Sequence, residues 1–96
     1  MFAVVRERAP GPGLGSEQLA EFRRVRARQP GYRGIVEVAV DDGRVLILAL
    51  WETEDQYHAA RAAIDAAGRG LGGANWAGPP RAIGEGLVIY DDLTSA

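Results

Sequence analysis

The 96-residue sequence contains no cysteine, no lysine and a single histidine. Without thiols, disulfide stapling and thiolate zinc sites are excluded, and one imidazole leaves no reasonable zinc constellation. Without lysine, a phosphate loop built on Gly-Lys-Ser/Thr is impossible. All 11 basic residues are arginine, set against 13 acidic ones, for a net charge of −2. No stretch approaches the roughly 18 apolar residues of a membrane helix, so no membrane partner is expected. The opening Met1-Phe2-Ala3-Val4-Val5-Arg6 lacks the basic region and small-residue cleavage site of a secretory signal, which points to a cytoplasmic domain.

What is present is a chain 47% apolar and 25% charged, of a length that suits one domain spanning residues 1–96. A chain this short buries only about 64% of its extended surface on folding, so its stability margin as a monomer is thin. Residues 2–6 form a short β-rich run, closed by the breaker cluster at 9–15. Ser16 has the character of an N-cap, and Leu19, Phe22 and Val25 mark the apolar stripe of a helix that Pro30-Gly31 stops. Residues 32–40 alternate as a strand, with Gly34, Val36, Val38 and Val40 on one face and Arg33, Ile35, Glu37 and Ala39 on the other. Asp41-Asp42-Gly43 is a hairpin turn into a second strand at 44–51. Thr53 with Gln56 fits a capping box, and Tyr57, Ala60, Ile64 and Ala67 mark a second helix that Gly68 ends. A glycine-rich loop carrying Asn75 and Trp76 leads through Pro79-Pro80 to a last strand at 81–90, and a polar tail begins at 91. The order β-α-β-β-α-β predicts a ferredoxin-like α+β sandwich, a four-stranded antiparallel sheet with two helices on one face.

The third strand is apolar on both sides. Val45, Ile47, Ala49 and Trp51 share one face, and Leu46, Leu48 and Leu50 the other. Helices cover only one face of such a sheet, and each large side chain left in water forfeits about 1.5–3 kcal/mol. The second face is therefore expected to meet another subunit's sheet in a homodimer. The alternative is cover from the tail or the glycine-rich loop.

Function must come from sites rather than from strand order. An RNA-recognition domain needs stacking aromatics where this strand offers Leu46, Leu48 and Leu50, and Arg23, Arg24, Arg26 and Arg28 suit a solvated helix face, so no nucleic acid is expected. Gly11 to Ser16 is glycine-rich between strand and helix, but two prolines and a Ser in sixth position leave it a loop. The acidic pairs Asp41-Asp42 and Asp91-Asp92 are turn and tail chemistry, not metal sites. His58, the only imidazole, aligns with Arg61 and Asp65 on a strip that suggests a solvated polar face, with a catalytic role as the alternative. Tyr57 lies on the buried stripe with a hydroxyl that needs a partner, Trp51 ends the strand before it, and with Trp76 they are either core aromatics or the walls of a pocket.

The runs Pro30-Gly31-Tyr32-Arg33-Gly34, Asp42-Gly43 and Leu50-Trp51-Glu52-Thr53-Glu54-Asp55-Gln56-Tyr57 resemble the pattern of the antibiotic biosynthesis monooxygenase family. The likeness covers residues 23–57, and Gly78-Pro79-Pro80-Arg81-Ala82 also resembles the anthrone-oxidising members. The resemblance implies a dimeric α+β barrel. It further implies oxygenation of a small aromatic or polyketide-like molecule by O₂ without metal, flavin or haem, the substrate supplying the electrons. Tyr57, His58 and Arg81 are then the catalytic candidates, and Trp51, Trp76, Arg33, Ile47 and Asn75 the substrate-binding ones. The anthrone-type pattern has Asn where this chain has Ile47, and its late helical Arg corresponds only loosely to Arg69. The haem-degrading pattern, with Asn in the first strand and Trp inside the second helix, does not match. The second possibility is a non-catalytic, small-molecule-binding or stress-associated dimer of the same fold.

Overall fold

A computed structural model describes residues 1–10 and 14–93, so the candidate loop at 11–13 and the end of the tail lie outside the described residues. The elements are β1 (Phe2–Arg8), α1 (Ser16–Ala27), β2 (Tyr32–Ala39), β3 (Val45–Trp51), α2 (Glu54–Gly72), a 3₁₀ turn (Gly73–Asn75) and β4 (Arg81–Leu87). The strands form one antiparallel sheet in the order β2-β3-β1-β4, as expected of a ferredoxin-like βαββαβ chain. No helix is long and apolar enough to cross a membrane.

Local chemistry sets the connections. Gly43 takes a φ of 85° in the β2–β3 turn, and the Asp42 carboxylate accepts the Arg44 backbone N–H at 3.1 Å and its Nε at 2.6 Å. These hydrogen bonds, the side-chain one foremost, hold the Asp42 carboxyl below its ordinary range. Thr53 caps α2, its hydroxyl oxygen accepting the Gln56 N–H, as the sequence predicts. At α1 the cap is Gly15 rather than Ser16. Gln18 reaches back so that its Oε1 accepts the Gly15 N–H at 2.9 Å, and the helix starts one residue earlier than it would with Ser16 as cap. The same Gln18 donates to the Leu71 carbonyl at 3.0 Å and ties the start of α1 to the end of α2.

Register places Phe2, Val4 and Arg6 of β1 beside Trp51, Ala49 and Ile47 of β3, all on the helix-covered face. The core gathers at one end of this layer, where Phe2, Val4, Trp51, Tyr57 and Ala60 are buried together. On the opposite face Val5 pairs with Leu48, and Leu48 with Val36. Val36 and Val38 stay about half exposed. The segment after β4 borders a shallow groove with Ala3, Leu48 and Leu50, so it flanks part of this face and leaves the β2 side bare. The glycine-rich region packs on the helix side and covers none of it.

The second helix does not end at Gly68, as expected; it continues to Gly72 and breaks at Gly73, whose φ is 55°. Gly68 is a packing residue instead. A Cβ there would meet the Trp76 ring at 2.8 Å, and one at Gly72 would meet the Trp76 Cβ at 2.6 Å. The indole thus lies on a glycine-lined strip of α2, with the Arg69 guanidinium 5.7 Å from its ring centroid. The last strand is also shorter than expected, ending at Leu87. Gly70, on the same helix, faces open space. Gly68→Ala is expected to displace Trp76 and lower stability by about 1–3 kcal/mol, whereas Gly70→Ala raises it by about 0.5–1 kcal/mol. Urea denaturation of the two variants, followed by tryptophan fluorescence, checks the contrast.

Candidate functional site

Away from the aromatic core, sheet and helices part around a cavity of about 540 Å³. That volume lies within the roughly 300–1,000 Å³ of small-molecule sites. Ile47, Ala49 and Trp51 of β3 form its floor, Tyr57 and Ile64 of α2 one wall, and Phe22 and Arg26 of α1 the other. Trp76 and Pro80, from the loop before β4, close one side.

Tyr57 joins core and cavity. Its ring packs on Phe2 at 5.8 Å and on Trp51 at 5.9 Å between centroids. Its hydroxyl oxygen accepts a hydrogen bond from Arg6 Nη2, and Arg6 Nη1 donates at 3.4 Å to the Pro80 carbonyl. A guanidinium only donates, so Tyr57 is the acceptor in that pair and its own O–H remains to be given away. Alternation along β1 accounts for the placement, since Arg6 follows Phe2 and Val4 on the inner face.

The structure brings Trp51, Tyr57, Trp76, Ile47 and Arg81 to this cavity. Arg81 is at an exposed edge, 3.4 Å from Glu7. Arg33 is not there; it sits exposed at the irregularity in β2 and pairs with Glu52 at 3.1 Å. His58 is not there either. It stands on the exposed side of α2, 3.4 Å from Glu54 and 4.0 Å from Glu85, with its ring 5.0 Å from that of Tyr57. Glu54, His58 and Glu85 bring their ligand-capable atoms within 4.8 Å of one another, a grouping not foreseen from sequence because β4 supplies one member. The Asn75 side chain lies outside what is described.

One residue of the arginine patch departs from the solvated face expected of it. Arg23, Arg24 and Arg28 are exposed, but Arg26 is only 9% exposed and lines the cavity. Its guanidinium stands 5.6 Å from the Phe22 ring centroid, and its Nε is buried without a hydrogen-bond partner among the described residues. Leu19, Phe22 and Arg26 follow an i, i+3, i+7 spacing, so the signal was in the sequence, concealed by the arginines around it. The Trp51 Nε1 is a second buried donor without a partner.

Fold and site together define a ferredoxin-like α+β sandwich with an aromatic-lined cavity between its sheet and helices. Comparison with solved structures agrees on the fold. The chain is similar to the "Putative antibiotic biosynthesis monooxygenase from Nitrosomonas europaea" with a TM-score of 0.54 and 18% identity, over 94% of this chain and 100% of that one. No protein-family model and no curated protein matches the sequence. The fold is thus like that of an antibiotic biosynthesis monooxygenase.

A buried charge without a counter-charge is costly, and apolar replacement of comparable volume relieves that cost. Arg26→Met is therefore expected to stabilise the protein by about 1–3 kcal/mol, measured as a shift of the urea midpoint at unchanged slope.

Proposed function

We propose that the protein is a cofactor-independent monooxygenase that holds a small aromatic or polyketide-like molecule in the cavity and lets it react with O₂. The observation that carries this reading is the Tyr57 hydroxyl at the cavity wall, its acceptor side occupied by Arg6 and its proton free for a ligand oxygen. For an anthrone-like substrate, loss of a methylene proton leaves an enolate whose oxygen would receive that hydrogen bond. The electron-rich carbon then adds O₂ to form a hydroperoxide. Loss of water leaves a carbonyl, with one oxygen atom kept by the product and the other released as water. Substrate supplies all the electrons, and the protein contributes orientation and oxyanion stabilisation. Trp51 and Trp76 would sandwich or edge the rings, and Arg81 would add positive charge at the opening.

The second reading, a non-catalytic binding protein of the same fold, is favoured by Ile47, an apolar residue in the cavity floor where the anthrone-type pattern has Asn. It is also favoured by His58 lying outside the cavity. An oxygen electrode with anthrone as substrate, in metal-chelated buffer without added flavin or haem, separates the two. The first reading expects oxygen uptake matching quinone formation, reduced about a hundredfold in Tyr57→Phe. Absence of uptake by the wild-type protein would leave the binding reading.

Both readings place two copies face to face through the sheet surface bearing Val36, Val38 and Leu48, in an isologous homodimer. Light scattering at low micromolar concentration is expected to give twice the 10.3 kDa chain mass. Leu48→Glu, which sets like charges opposite one another, is expected to return the mass of a single chain.

A further inference from the structure

We propose that the cavity takes its ligand as an anion, an aromatic molecule bearing a resident ionised oxygen group such as a carboxylate, which Arg26 grips and Arg6 supports. This rests on the cavity being the ligand site. Three carboxylates line the cavity, and each already has an arginine. Glu7 lies 3.2 Å from Arg44 and 3.4 Å from Arg81, Glu37 lies 2.8 Å from Arg23, and Asp65 lies 3.9 Å from Arg61. What remains on the inner wall is a surplus of positive charge. Among the described residues, Arg6 has only neutral acceptors, the Tyr57 hydroxyl and the Pro80 carbonyl. Arg26 has no carboxylate within ion-pair distance among the described residues and is nine-tenths buried beside the cavity.

The orphaned groups point the same way. Among the described residues, the two buried side-chain atoms without partners, Arg26 Nε and Trp51 Nε1, are both donors on residues that line this cavity. Buried polar groups are nearly always satisfied, so the missing partner is an acceptor. An arginine keeps its charge in proteins and presents a planar fork of donors that matches a carboxylate at two points. The Phe22 ring behind the guanidinium holds that fork in place. The rest of the lining, Ile47, Ala49, Trp51 and Ile64, suits an apolar aromatic body. An amphipathic anion meets both demands, whereas a neutral arene would leave two donors and a charge unanswered.

Isothermal titration of the whole protein with 2-naphthoate and its neutral isostere 2-naphthamide, at pH 7.5 and low salt, tests this. The wild type is expected to bind naphthoate about tenfold or more tightly than naphthamide, the gain of a charge-assisted pair. Arg26→Met should erase that preference while keeping naphthamide affinity, Arg26→Lys should retain part of it, and the exposed Arg28→Met should leave it intact. Near-UV circular dichroism establishes that each variant is folded. Equal affinity for the two probes in the wild type, or a preference that survives Arg26→Met, overturns the anion assignment while leaving the cavity as a neutral-ligand site. Failure of both probes to bind at millimolar concentration overturns this inference together with the proposed function. A naphthoate preference in a protein that consumes no oxygen supports the anion site and removes only the oxygenation step.

Discussion

The packing of Tyr57 against Phe2 and Trp51 is the contact on which the rest of the architecture depends. These rings meet where the start of α2 crosses β1 and β3, with centroids 5.8–5.9 Å apart, and Tyr32 adds an edge-on contact to Trp51 at 5.7 Å. Large aromatic side chains dominate core energetics in a chain with so little interior. Here they concentrate that interior at one end of the sandwich. The far end of α2 is fixed differently, by Trp76 lying on Gly68 and Gly72 and by the Gln18–Leu71 hydrogen bond. Between the two anchors the side chains of sheet and helices leave the layer unfilled, and the cavity is what remains. A void of that size could not persist in a small domain if either anchor were soft, because the helix would settle onto the sheet.

Much of this was legible in the sequence because it follows from short-range rules. The Thr53–Gln56 cap, the Asp41-Asp42-Gly43 turn and the period-2 runs each declare their element locally, and together they order the strands. The two-faced β3 was equally plain, and its outer face at Leu48 adjoins the half-exposed Val36 and Val38 of β2. The failures have a common origin in contacts distant along the chain. Gly68 carries the local signature of a helix end, but an indole eight residues later requires a bare backbone there, and the helix runs on to Gly72. Arg26 belongs by composition to a solvated patch, and only helical phase with Leu19 and Phe22 turns it inward. Arg6 reads locally as no more than the end of a strand, and its bond to Tyr57 spans 51 positions.

The site departs from ordinary packing in one place and in one sense. Elsewhere the apolar stripes face inward, the exposed arginines of α1 face water, and the carboxylates near the cavity have arginine partners. The departures from these rules among the described residues, a buried guanidinium whose Nε has no partner, an unpartnered indole N–H and a tyrosine hydroxyl that serves as an acceptor for arginine, all line the same cavity. Natural sequences agree across levels of structure except where function requires otherwise, so a cluster of disagreements is itself informative. The sign is informative too. The chain carries a net charge of −2, yet the unmatched charge inside is positive. An acidic exterior around a donor-lined interior favours a ligand whose apolar body is drawn in by the aromatic walls and whose oxygen is recognised only after desolvation. On the proposed reading, long-range attraction would contribute little, and discrimination would be made at Arg26 and Tyr57, where each missing acceptor would be felt at full cost.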